Sequence, residues 1–183
     1  MPVSYQKGSV GLIEKDIPLP HGGVLKGFPV ITHANGVIVA PVVRREASTF
    51  IMLIEQWRAA MNRRIWEVPG GGFERGETPE ETAVREVREE AGLVVDKLVR
   101  VGEMLPAPGW DVETQFHFIA ECHQNVGIQE LDSTESISRR LFPASQVREM
   151  LRNRQIVDLK TKALLYDTLE YLNSQDGAEW AGL

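Results

Sequence analysis

One cysteine in 183 residues leaves no partner for an intramolecular disulfide, and Cys122, within the strand-like QFHFIAEC, reads as small buried filler in a reducing compartment. No apolar run approaches the ~20 residues that cross a bilayer. The stretch MPVSYQKGSVGLIEKD lacks the basic segment and apolar core of a secretion signal, which points to a soluble, cytoplasmic protein with no membrane partner. Long runs of like charge are also missing: 26 acidic residues against 20 basic ones give a net charge of -6, and a nucleic acid would be repelled. The histidines at 21, 33, 117 and 123 have no zinc-site spacing, and no serine or cysteine is set up for a nucleophilic triad. All four read as structural or surface residues. What remains is a chain of the length of one globular domain with room for a small extra lobe.

Gly and Pro crowd the first 35 residues (IPLPHGGVLKGFP) between short β-prone pieces, Val10 to Ile13 and Val30 to Thr32, and predict a β-rich hairpin lobe. Two β-branched apolar runs follow, GVIVAPVV (36–43) and TFIMLIEQW (49–57), as expected of central strands buried on both faces. Further strands are expected at 97–104, 114–121 and 136–142, and helices at 144–153 and 159–173. The order of β-rich segment, one helix, more β and two helices predicts an α/β domain over 36–175, with a mixed sheet and helices on both faces. A flexible tail is expected over 176–183.

Between these runs, PGGG at 69–72 permits close backbone approach, and a helix is bounded almost to the residue. Thr78 with Glu81 forms a capping box, Pro79 takes the first helical position, and Gly92 ends the helix. Ala83, Val84, Val87 and Ala91 share a stripe facing the core, with Glu86, Glu89 and Glu90 beside it. Like charges at such spacing cost roughly 0.2–0.5 kcal/mol per pair. A divalent cation relieves that repulsion, and hard carboxylate oxygens beside a glycine loop suit Mg²⁺ or Mn²⁺. Such a cation serves phosphoryl chemistry by neutralising phosphate charge and activating water.

Gly71, then Glu77, then Arg85-Glu86-Val87-Arg88-Glu89-Glu90-Ala91-Gly92-Leu93 fill every defining position of G-x5-E-x7-R-E-U-x-E-E-x-G-U, where U is aliphatic. The chain therefore resembles the Nudix hydrolases, whose fold is an α/β/α sandwich and whose members hydrolyse a nucleoside diphosphate linked to another moiety. That resemblance implies Glu86, Glu89 and Glu90 as metal ligands, with the Gly70 carbonyl as a backbone ligand. It implies a Glu77–Arg85 pair that holds the motif together, and an arginine flanked by glutamates suits such an orienting role.

Upstream, Gln56-Trp57-Arg58 and Trp66-Glu67 before Pro69 are similar to the branch that cleaves ADP-ribose and other nucleoside diphosphate sugars, as are Pro108, Gly109, Glu113 and Phe116 downstream, with Ala107 in place of a serine. The resemblance implies a nucleoside monophosphate and a sugar phosphate as products, with GDP-mannose or another nucleotide sugar as the alternative substrate. Arg58 suits a bidentate phosphate contact. Trp57 or Phe28 is suited to stack on a base or to pack in the core, and Glu67 to accept a hydrogen bond from base or ribose or to serve structurally. For the general base, the segment QELDSTES (129–136) offers Glu130, Asp132 and Glu135; Glu135 is favoured by its place before the next strand, with Glu89 as the alternative. In this branch the N-terminal lobe commonly swaps strands across a dimer, so residues 1–35 predict a homodimer. The competing class is a nucleotide-sugar sensing module without catalysis, which would not need all three helix glutamates.

Overall fold

The structure, a computed structural model, describes residues 3–46, 48–123, 127–131 and 136–175. The tail predicted from 176 lies outside them. Strands β1 (Val3–Lys7), β2 (Val10–Pro18) and β3 (Val24–Thr32) form an antiparallel sheet in the order β1-β2-β3, one strand more than the hairpin expected from the sequence. This small sheet is tied to the main body through Ile31, whose amide donates to the Trp110 carbonyl (2.7 Å) and whose carbonyl accepts from Val112 (3.3 Å).

The main sheet contains β4 (Gly36–Arg45), β5 (Ser48–Arg58), β6 (Arg63–Glu67), β7 (Gly70–Gly72), β8 (Val95–Met104), β9 (Gln115–Cys122) and β10 (Ile137–Pro143). Its principal order is β10-β5-β4-β9-β8, with β6 on β5 and β7 on β4. The β4–β9 pair is parallel and the others antiparallel, so the sheet is mixed. Helix α1 (Pro79–Glu86) covers one face, and α2 (Ala144–Arg152) and α3 (Leu159–Gln175) the other. Strict alternation along β4 explains why its sequence is apolar throughout. Ile38, Ala40 and Val42 point towards α2 and α3, while Val37, Val39 and Val43 point towards α1. Cys122 is buried on the α1 side, where burial pushes its thiol up to about 12 and leaves it inert.

One irregularity of this sheet creates the site. Strand β4 pairs with β5 only over Val42–Arg45; at its other end, Gly36–Ile38 pairs with β7. Strand β5 likewise leaves β4 and pairs with β6 over Ile54–Arg58. Beyond their short shared ladder the two strands diverge, and a cleft opens between them. Pro41 falls in the interval between the two ladders of β4, where a missing N–H is tolerated.

Helix α1 begins as its sequence dictates. Thr78 Oγ1 accepts from the Glu81 amide (3.2 Å), Glu81 Oε2 accepts from the Thr78 amide (2.8 Å), and Pro79 follows. After Glu86 the helix widens into a π-helical turn, Val87–Ala91, and stops at Gly92, whose φ of 60° suits glycine. The buried stripe differs from the expected one. Thr82, Ala83, Glu86, Val87, Glu90 and Ala91 are buried, whereas Val84 is 43 % exposed. The helix is rotated so that two glutamates enter the packed face, because the bare glycines of β7 leave space for their carboxylates.

The cap generates a stability prediction: Thr78→Ala lowers unfolding free energy by about 0.5–2 kcal/mol, and Thr78→Ser restores most of it. Equal denaturation midpoints for Thr78→Ala and wild type would show that the helix does not depend on its cap.

Candidate active site

Arg85 is the hub of the glutamate cluster. Its Nε donates to Glu77 Oε1 (2.9 Å), and its Nη2 to Glu77 Oε2 (3.1 Å) and to the Gly72 carbonyl (2.9 Å). Its Nη1 donates to Glu86 Oε1 (2.8 Å) and Glu89 Oε2 (3.0 Å). One guanidinium thus joins the loop before α1, the helix and β7, using the planar fork that lysine lacks. Glu77 also accepts from the Glu74 amide (2.9 Å) and from Thr82 Oγ1 (2.8 Å). Its carboxyl is held down at about 2, chiefly by Arg85.

Glycine strand β7 seats the other two carboxylates. The Gly70 amide donates to Glu90 Oε2 (2.8 Å). A Cβ on Gly71 would lie 2.1 Å from Glu86 Oε1, so no other residue fits there without displacing that carboxylate. Glu89 is less buried and has an arginine on each oxygen, Arg85 on one and Arg88 on the other (3.1 Å).

The cleft between the diverging strands has a volume of about 260 Å³ and is lined on one side by Gly70, Gly71 and Gly72. Arg58 and Glu67 line it as a bidentate pair, Nε to Oε1 at 2.7 Å and Nη2 to Oε2 at 2.5 Å. This contact raises the Arg58 pKa further above its ordinary value. Arg58, expected to grip phosphate, and Glu67, expected to meet base or ribose, therefore first grip each other. His33, Glu113 and Gln115 form a second lining group. His33 Nδ1 is 3.3 Å from Glu113 Oε1, and Gln115 Nε2 donates to the same oxygen. The third group is the start of α3, where Asp158 Oδ2 accepts from the Thr161 amide (2.8 Å), Thr161 Oγ1 accepts from the Val68 amide (3.2 Å), and Lys160 adds a cation.

Not all of the residues expected at the site arrive there. Trp57 is 44 % exposed, and neither it, Phe28 on β3 nor exposed Pro108 lines the cleft. Strand alternation explains Trp57, since its neighbour Arg58 turns inward and it must turn outward. Glu135 and Asp132 lie outside the described residues, while Glu130 sits near the helix, its Oε2 3.6 Å from Arg88 Nε. Conversely, sequence reasoning missed His33, Gln115, Asp158, Lys160 and Thr161. Asp158-Leu159-Lys160-Thr161 carries a helix-start signal, but nothing local says where that start points.

Comparison with known proteins fits this geometry. The NUDIX domain family model matches residues 32–161. The chain belongs to the Nudix family. The ADP-ribose pyrophosphatase of Bacillus subtilis (strain 168) is 30% identical over 156 residues, 83% of this chain and 80% of that protein. That of Mycobacterium tuberculosis (strain ATCC 25618 / H37Rv) is 27% identical over 154 residues, 82% of this chain and 72% of that protein. A crystal structure of an ADP compounds hydrolase shares the fold, with a TM-score of 0.78, 17% identity, and 95% of this chain and 92% of that one covered. The chain is thus a Nudix pyrophosphohydrolase, with the family's α/β/α sandwich and a small N-terminal antiparallel sheet.

Nudix hydrolases are generally dependent on a divalent metal. The donors present fit such an ion: three carboxylates on one helical turn and a glycine strand whose cradle a Cβ would fill. Among the described residues no three acidic, histidine or cysteine side chains already converge as a preformed cage, because Arg85 and the Gly70 amide occupy carboxylate oxygens.

Two groups give the fold opposite ends of an acid profile. Fully buried His117 is pushed down to about 4 by burial, so the stability of its neutral ring is complete above its ordinary 6.5 and declines as pH falls towards 4. Glu77, at about 2 against an ordinary 4.5, contributes above pH 4.5 and loses its contribution as pH falls towards 2. Denaturation of Glu77→Gln across pH 2 to 7 is expected to show a flattened lower limb with the upper limb intact. An unchanged slope below pH 4.5 would remove the Glu77–Arg85 lock from the account of stability.

Proposed function

We propose that this Nudix enzyme is a cytoplasmic hydrolase of the pyrophosphate bond in ADP-ribose or a related nucleoside diphosphate sugar, releasing a nucleoside monophosphate and a sugar phosphate. The observation that carries the reading is the double service of β7. Its glycines line the cleft on one side and receive Glu86 and Glu90 on the other, so a diphosphate in the cleft meets the helix carboxylates across a strand without side chains. The two ADP-ribose pyrophosphatases that match most of the chain support the substrate class.

In this reading Glu86, Glu89, Glu90 and the Gly70 carbonyl hold Mg²⁺ or Mn²⁺. When bound, that ion neutralises phosphate charge and lowers the pKa of a coordinated water. Arg85 keeps Glu86 and Glu89 oriented through one nitrogen, and its bonds to Glu77 and Gly72 fix it in turn. Arg58, with Nε and Nη2 taken by Glu67, has Nη1 for a phosphate oxygen. The proton of the attacking water is assigned to Glu135, by its place before the strand that follows the acidic segment, with Glu89 as the alternative. The N-terminal sheet pairs two copies of the chain. Phe28, Trp57 and Pro108 lie outside the single-chain cleft, and a partner's cleft is the place where they meet substrate.

The deciding assay is phosphate-coupled turnover of ADP-ribose, GDP-mannose, UDP-glucose, diadenosine polyphosphates and nucleoside triphosphates, each with Mg²⁺ and with chelator. Metal-dependent cleavage of a nucleotide sugar is expected; binding across the panel without cleavage would replace the enzyme with a sensing module. Glu90→Gln, which keeps size and removes charge, is expected to fold normally and lower turnover by roughly 100-fold or more. Full activity in that variant would discard Glu90 as a ligand. Light scattering is expected to give twice the 20.5 kDa chain mass, and a monomer would end the dimer proposal.

A further inference from the structure

The C-terminal end of the catalytic helix is closed by residues 127–130 and by Arg139. Four consecutive carbonyls, Glu89 to Gly92, stand at this end, where a helix supplies no N–H donors of its own. Each of them is taken from outside the helix. The Glu130 amide donates to the Glu89 carbonyl (2.9 Å), Gln129 Nε2 to the Glu90 carbonyl (2.6 Å), and the Gly127 amide to the Gly92 carbonyl (2.7 Å). The Ala91 carbonyl accepts from Arg139 Nη1, and Arg139 Nη2 donates to the Gly127 carbonyl (2.5 Å). Arg139 stands on β10, remote in sequence from both.

This pattern differs from an ordinary glycine cap. Gly92 turns into the left-handed region, and a Cβ there would lie 1.9 Å from Arg139 Nη1, so the glycine also makes room for the guanidinium. The two backbone units that carry Glu89 and Glu90 are therefore bonded directly to residues 129 and 130. Arg139 bridges the helix end and residue 127 through two nitrogens of a planar fork, which lysine, with all its donors on one nitrogen, does not reproduce.

We propose that Arg139, with Gln129, is a positioning residue that clamps the 127–131 segment to the end of the catalytic helix, fixing the Glu89 and Glu90 backbone relative to residues 129 and 130. The inference rests on the hydrolase reading above. Small displacements of catalytic groups are costly, so a clamp at this point acts on kcat and not on substrate capture.

The test uses the full chain with Arg139→Met, Arg139→Lys and Gln129→Ala. Amide hydrogen exchange of Gly127 and Glu130 reads the clamp without any catalysis, so its failure is distinct from a failure of wild-type turnover on nucleotide sugars. In Arg139→Met, exchange at these two amides is expected to rise at least about tenfold and kcat to fall roughly 10- to 100-fold, with KM within about twofold. Arg139→Lys is expected to lie between Arg139→Met and wild type. If Arg139→Met does not fold, Gln129→Ala, which leaves the guanidinium in place, carries the same two readings. Wild-type exchange in folded variants, or a kcat that falls only in proportion to the folded fraction, would overturn the proposal.

Discussion

Three carboxylates within one turn of a helix repel each other, and two of them here enter a packed face, where charge is costly unless it is hydrogen-bonded. The bonds of Arg85, with the Gly70 amide on Glu90, make that arrangement tolerable. A single side chain, itself largely buried, reaches Glu77, Glu86, Glu89 and the Gly72 carbonyl. The position of α1 against the sheet, the orientation of the cluster and the closeness of β7 all follow from it. The capping box and the C-terminal glycine set where the helix begins and stops, but Arg85 and the glycine strand set how it is rotated.

The second constraint belongs to the sheet. Strands β4 and β5 share only a short ladder before each takes a different partner, and the gap between them is bounded by polar groups from distant parts of the chain. A continuous β4–β5 ladder would leave no cleft. Because β7 forms one wall of that gap and also carries the seats of Glu86 and Glu90, the cleft and the glutamate cluster share a boundary three residues long. The Trp66–Glu67 dipeptide shows the same economy. Trp66 packs edge-on against Phe142 at 5.1 Å in the core, while Glu67 turns to Arg58 at the cleft.

Local features are legible in the sequence. Thr78, Pro79, Glu81 and Gly92 bounded the helix because caps act through bonds between near neighbours, and those bonds are present. The β-branched runs announced β4 and β5 because strands buried on both faces need no polar alternation. The sequence is ambiguous where tertiary packing chooses between local equals. Val84 and Glu86 flank the same stripe, and only glycines on another strand favoured the glutamate. Arg58 looked like a free phosphate ligand, since nothing in the linear order pairs it with Glu67, which approaches through the β5–β6 ladder.

By itself the sequence determined the family, the glutamate cluster with its Glu77–Arg85 partner, and the layered α/β architecture, because each depends on spacing within one element or on periodicity along it. Only the tertiary structure decided which side chains share the cleft, that Asp158, Lys160 and Thr161 come to it from the start of α3, and that residues 127–131 close the helix end. Those contacts join segments far apart in the chain. They are selected by how strands diverge and which backbone groups remain without partners, quantities that arise only when the sheet is assembled.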